Sequence, residues 1–152
     1  MIQEAKRSAH SQHYDRVAVY PARLIIALVG NRCIYFGRHA VKMTKRRYAL
    51  FFEKGTKCVQ CGIEGQYFAL ERDSSRDAKT KYCYHFNLYA VNAEGVEVLM
   101  TKDHILPVSR GGKDGLHNLQ PMCLHCNNQK GNTIWEDNKV HSVDHNDAIY
   151  DS

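Results

Sequence analysis

The sequence predicts an α+β fold, and three observations carry that prediction. Apolar residues alternate through Tyr84, Phe86, Leu88 and Ala90 ahead of a Gly-bearing turn at Asn92-Ala93-Glu94-Gly95, the pattern of a β-hairpin. Apolar positions at helical spacing recur between Phe36 and Phe52, with Arg38, Lys42, Lys45 and Arg46 on another arc. Two C-x-x-C pairs, Cys58/Cys61 and Cys123/Cys126, flank the hairpin and can tie distant segments together.

Taken in order, the first sixteen residues are polar without an apolar period and are expected to form a mobile arm. Val17–Tyr20 and Arg23–Val29, separated by Pro21, read as strand pieces or as a buried helix, and periodicity does not separate the two. The predicted Phe36–Phe52 helix stops at Gly55. Cys58-Val59-Gln60-Cys61-Gly62 forms a tight turn, and a charged stretch, Glu71–Lys81, leads into the hairpin of Tyr82–Val91 and Val96–Met100. That hairpin runs directly into Asp103-His104 and ends at Leu106-Pro107; Ser109–Gly115 is a loop by composition. Leu119–Met122 is a return strand, and the helix after Cys123 carries Asn127 and Lys130 and extends toward Trp135.

A chain of 152 residues, 43% hydrophobic, is one domain's worth and buries a modest core, which excludes a long disordered protein. The apolar run Leu24–Val29 is too short to span a bilayer, and Glu4, Lys6 and Arg7 are followed by no apolar signal segment. A cytoplasmic protein without membrane contact is expected, in the host cytoplasm if it is phage-encoded. Residues 1–57 hold twelve Lys or Arg against three acids, a charge of +9, while 58–100 and 101–152 each carry −2. A basic lobe beside acidic ones suits a polyphosphate partner, because phosphate neutralisation is the general source of nucleic-acid affinity.

In a reducing compartment cysteine pairs favour metal over disulfides. Four thiolates make a closed tetrahedral site, so Cys58, Cys61, Cys123 and Cys126 are expected to hold a structural Zn2+. Cys33 and Cys83, in apolar or aromatic surroundings, read as small hydrophobes. If zinc ties the Cys58 turn to the Cys123 helix, Asn127 is fixed near the strand end that bears Asp103 and His104. The Asp103 carboxylate and the Asn127 amide are hard oxygen ligands that suit Mg2+ or Mn2+. Neighbours on a strand point to opposite sides, so His104 takes a different task from Asp103, and a histidine is competent as a base near neutral pH.

The Asp103-His104 pair, the Gly111-Gly112 loop, Asn118 before Leu119, and Cys123-x-x-Cys126 followed at once by Asn127 and later by Lys130 together resemble the ββα-metal motif of the HNH endonucleases. The resemblance is to the subtype braced by four cysteines and covers Cys58-x-x-Cys61 and residues 98–132. It implies a treble-clef-like, His-Me finger core acting as a metal-dependent DNA endonuclease. In that family the residue matching His104 is the general base, that matching Asp103 binds the catalytic ion, and that matching Asn118 orients the histidine ring. Asn127 stands where the family usually has His, similar to phage endonuclease VII, and shifts the expected ion toward magnesium. Arg38, Lys42, Lys45, Arg46, Arg110, Lys113 and Lys130 are the expected DNA contacts.

The domain reading is a basic, helical N-terminal extension over 1–57, a nuclease core over 58–140 with the hairpin inserted, and a loose tail over 141–152. A homodimer that cuts both strands is one arrangement the sequence leaves open. The alternative function is a zinc-containing nucleic-acid-binding module without cleavage.

Overall fold

The computed structural model describes residues 5–135. Its strands are β1 (Tyr14–Pro21), β2 (Cys33–Phe36), β3 (His39–Lys42), β4 (Gly65–Asp73), β5 (His85–Val91), β6 (Glu97–His104) and β7 (Leu119–Cys123); its helices are α1 (Ala22–Ile26), α2 (Arg46–Lys54) and α3 (Leu124–Lys130). Five strands form one antiparallel sheet in the order β1-β4-β5-β6-β7, and β2 pairs with β3 as a separate hairpin. The fold is mixed α and β with antiparallel sheets.

Alternation in the central strands gives the sheet two different faces. Phe68, Leu70, Phe86, Leu88, Val98, Met100 and Met122 belong to the main core with Ile25 of α1, Val41 of β3, and Tyr48 and Phe51 of α2. Phe86 sits at its centre, edge-on to Tyr20, Phe36, Tyr48 and Phe68, and its N–H donates to the Tyr48 hydroxyl at 2.9 Å. Truncating such a buried aromatic costs about 3–5 kcal/mol.

The opposite face alternates into Tyr67, Ala69 and Tyr89 and the buried carboxylates Glu71 and Glu97. Arg16 of β1 bridges them, 2.6 Å from Glu71 and 2.5 Å from Glu97. Tyr89 and Asn87 donate to Glu71 at 2.9 and 2.7 Å, and the Tyr67 hydroxyl donates to Glu97. Buried charge is tolerated when it is paired and hydrogen-bonded, and this set meets both conditions.

Two expectations are corrected. Residues 36–52 are not one helix: Phe36 pairs with His39 across a two-residue turn at Gly37, whose φ of +59° suits glycine, and only Arg46–Lys54 is helical. Val41 and Met43 are both buried, a period of two that the arc of Phe36, Ala40 and Met43 concealed. The expected stop at Gly55 holds, with φ +84° at the C-cap.

The first sixteen residues are not a loose arm in the described part. Lys6 pairs with the start of β6 through Lys6 N–H to Gly95 O (2.8 Å) and Glu97 N–H to Lys6 O (2.9 Å), and Tyr14 to Arg16 lie in β1. Arg7 donates to the Tyr14 carbonyl at 2.9 Å and also to that of Ser11. Val17–Tyr20 is strand, and the following segment starts with the short helix α1. The helix after Cys123 stops at Lys130, where Gly131 takes φ +52°, and Trp135 beyond it packs against the core. The predicted tail, 141–152, lies outside the described residues.

Candidate metal centre and active site

The cysteine turn is built by backbone bonds. Gly62 N–H donates to Cys58 O at 3.0 Å, Cys58 N–H to Ile63 O at 2.9 Å, and Val59 N–H to Pro121 O at 3.0 Å, which lashes the turn to β7. Cys123 ends β7 and caps α3, so Cys126 follows one helical turn later. The four thiols converge, with ligand atoms all within 4.8 Å of one another, and none is in a disulfide. The Cys61 and Cys123 sulfurs are 3.8 Å apart. A tetrahedron with Zn–S of about 2.3 Å has edges of about 3.8 Å, so the donor set is compatible with structural zinc.

Their titration points the same way. Hydrogen bonds from Cys123 and Cys126, with the Cys61 and Cys123 amides, hold Cys58 far below the ordinary thiol range. Hydrogen bonding with Cys123 and Cys58 pushes Cys126 up, because further thiolates there would repel the first. A divalent cation at the centre removes that conflict.

Asp103, His104 and Asn127 line one cavity of about 270 Å³, together with Lys102, Pro107, Val108, Ser109, Lys130, Gly131 and Asn132. β6 supplies the first two at its C-terminal end and α3 supplies Asn127. Asp103 is 5% exposed; opposite it on β7, Gln120 donates to Oδ2 at 2.9 Å, and the Lys130 ammonium lies 3.2 Å from Oδ1 and 3.1 Å from Oδ2. A carboxylate has about four lone-pair positions, so these contacts leave capacity for an ion. Asn127 donates its Nδ2–H to Thr101 Oγ1 at 2.8 Å, and Thr101 in turn donates to the Met122 carbonyl at 2.8 Å. That arrangement fixes the amide and leaves its oxygen, a hard donor, for a ligand. The residues present therefore fit an oxygen-ligated divalent cation.

His104 meets a carboxylate that the sequence reading missed. Its Nε2 is 3.1 Å from Asp114 Oδ1, in the glycine loop. Lys102 is 3.3 Å from the same oxygen, and Arg46 from α2 pairs with Oδ2. Desolvation raises Asp114, but hydrogen bonds from His104 and Lys102 and the charges of Lys102 and Arg46 together outweigh it and hold the carboxyl below its usual range.

Asn118 is 8% exposed and clamps the loop backbone. Its Oδ1 accepts from Leu106 N–H at 2.9 Å, its Nδ2 donates to the Leu106 and Lys113 carbonyls at 2.9 Å each, and its own carbonyl accepts from Ile105 N–H at 2.9 Å. It thus fixes the chain immediately after His104, while the ring nitrogen goes to Asp114. Gly112 is required for this packing: a Cβ there would lie 1.8 Å from the Leu106 carbonyl oxygen and 2.9 Å from Asn118 Nδ2.

Lys130 is not a surface cation. It is 2% exposed, and besides Asp103 its ammonium donates to the His104 carbonyl at 2.8 Å. Arg38, Lys42, Arg46, Arg110 and Lys113 are exposed and Lys45 is half-buried. Cys83 is buried, as expected, and Cys33 is half-buried. Asp114, Gln120 and Thr101 were not found from sequence; a loop acid and two strand residues carry no spacing signal of their own.

Residues 84–133, from the start of β5 through α3, match the family model described as HNH endonuclease. This stretch, which holds Asp103, His104, Asn118 and Asn127, is similar to the HNH endonucleases. No curated protein and no solved structure matches the chain. Among the described residues no helix is long and apolar enough to cross a membrane.

Proposed function

We propose that the chain is a metal-dependent DNA endonuclease built on a zinc-braced ββα-metal core of β6, β7 and α3, with the basic segment before Cys58 contributing β1 to the same sheet and α1, β3 and α2 to its core. The observation that carries this reading is the convergence of Asp103, His104 and Asn127 on one cavity beside a four-cysteine cluster. Asp103 and Asn127 would hold a Mg2+ or Mn2+ ion, which would supply charge neutralisation at a phosphodiester.

His104 is the general base. With Nε2–H donating to Asp114, Nδ1 is the unprotonated nitrogen and takes the proton of the attacking water. The hydroxide oxygen then bonds to phosphorus and the P–O3′ bond breaks, its electron pair leaving on the 3′ oxygen, which takes a proton from solvent water. Asp114 holds the tautomer and stabilises the imidazolium that forms; Asn118 keeps the loop that carries Asp114 folded over the strand end. Exposed Arg46, Arg110 and Lys113 supply backbone contacts around this cavity.

One observation favours a second reading, a zinc-containing nucleic-acid-binding module without cleavage: the Lys130 ammonium already neutralises Asp103. Incubating supercoiled plasmid with the zinc-loaded protein, with and without added magnesium, separates the two. Magnesium-dependent nicking supports the nuclease, and binding without nicking supports the module.

A further inference from the structure

Outside the HNH segment, lysines and an arginine without ion-pair partners among the described residues surround a second cavity. It measures about 300 Å³ and lies between the β2–β3 hairpin and the loop that precedes β5; it is lined by Tyr35, Arg38, His39, Lys79, Lys81, Tyr82 and Tyr84 with smaller residues, and no carboxylate faces it. The ammonium groups of Lys42 and Lys81 each stand 4.9 Å from the centre of the Tyr82 ring. Among the described residues, Arg38, Lys42, Lys79 and Lys81 form no ion pair, whereas Arg16, Arg46, Arg72, Lys102 and Lys130 all do. The His39 and Tyr84 ring centres are 4.1 Å apart and make one wall, and Tyr35 is 67% exposed.

Tyr82 itself is held at φ +61°, the only non-glycine residue in the left-handed region among those described. Backbone strain of this kind marks sites whose conformation the surroundings impose.

We propose that this cleft is a binding site for unpaired nucleotides of a nucleic-acid strand. Exposed aromatic faces stack bases irrespective of sequence, and cations without carboxylate partners neutralise phosphates; the two together are the composition of a single-strand groove. Paired bases hide their faces within the duplex stack, so Tyr35 gains a stacking partner only where a strand is open. The cleft also borders the end of the sheet that carries the candidate active site. β5 begins at His85, next to Tyr84, and β6 ends at His104; the two strands are antiparallel neighbours, so both points are at the same end of the sheet. The substrate class that follows is DNA with an open segment next to the cut, such as a branch, flap or gap, and this last step rests on the endonuclease reading above.

Fluorescence anisotropy with the full zinc-loaded chain and no added magnesium tests the site on a labelled single-stranded oligonucleotide and on its duplex. Tyr35→Ala is expected to reduce the single-strand over duplex affinity ratio about tenfold, the contribution of about one stacked base. Tyr35→Phe keeps the ratio, and Lys81→Gln lowers the salt slope by about one. A Tyr35→Ala ratio equal to wild type, with zinc content and melting unchanged, overturns the proposal. Because cleavage is absent from this assay, a chain that shows the expected ratios but never nicks DNA retains the cleft and loses only the nuclease assignment. One that nicks with an unchanged ratio retains the nuclease and loses the cleft.

Discussion

The ammonium of Lys130 lies 3.1 Å from the Asp103 carboxylate, with both side chains almost completely buried. A lysine on the last turn of α3 is thereby bonded to the acid at the end of β6, and the helix, the strand and the candidate ligand are fixed together. Removing one partner of a buried pair leaves the other charge uncompensated and costs about 3–5 kcal/mol. Lys130→Ala is therefore expected to lower the melting temperature markedly. Added magnesium, now the only cation near Asp103, should raise the melting point of the variant more than that of wild type. Thermal melts across a magnesium series check both parts.

Asp114 is expected to set the reactive tautomer of His104. Asp114→Ala should reduce the nicking rate about ten- to hundredfold while zinc content stays at the wild-type level, the usual scale for losing a residue that orients a functional histidine. If Asn118 alone oriented His104, the variant would nick at the wild-type rate.

Gly112 faces the Leu106 carbonyl so closely that any side chain must displace backbone. Gly112→Ala is expected to destabilise the fold by about 1–3 kcal/mol. It should also loosen the loop that brings Asp114 to His104, so activity falls more than stability explains. Denaturant unfolding beside single-turnover nicking separates the two effects.

Lys45 gives a pH signature. Burial and the charges of Arg47, Arg76 and Lys42 push it down to about 8, and His85, close by, is pushed down to about 3 by burial and by Arg47 and Lys45. His85 is thus neutral near pH 7, and Lys45 is charged below about 8 and loses its charge as pH rises through that value. DNA affinity is expected to fall between about pH 7 and about pH 9 if Lys45 contacts phosphate, since each neutralised phosphate adds to affinity. Lys45→Met should abolish that step; an unchanged pH profile in the variant would remove Lys45 from the interface.

Much of the C-terminal half was legible because its signals are local. Alternation marked the β5–β6 hairpin, Pro107 the end of β6, and the paired cysteines the four-thiol cluster. The N-terminal half was misread where two periods fit the same residues: Phe36, Ala40 and Met43 satisfy a helix, but Gly37 turns the chain and makes a hairpin. β1 was missed as part of the main sheet because what holds Arg16, the carboxylates of Glu71 and Glu97, lies more than fifty residues away. The same holds at the site. Asp103, His104 and Asn127 could be picked out by residue type and spacing, whereas Lys130, Gln120 and Asp114 take their roles from pairing across the fold. Lys130 in particular looked like a surface cation until its burial was known.

The most direct test of the central claim is nicking of supercoiled plasmid by His104→Ala beside wild type, in magnesium, with zinc content and DNA affinity measured on the same samples. Wild type is expected to nick and the variant to lose cleavage by about a hundredfold or more, the scale of a general base, with zinc and DNA binding retained. Nicking by His104→Ala at the wild-type rate would contradict it.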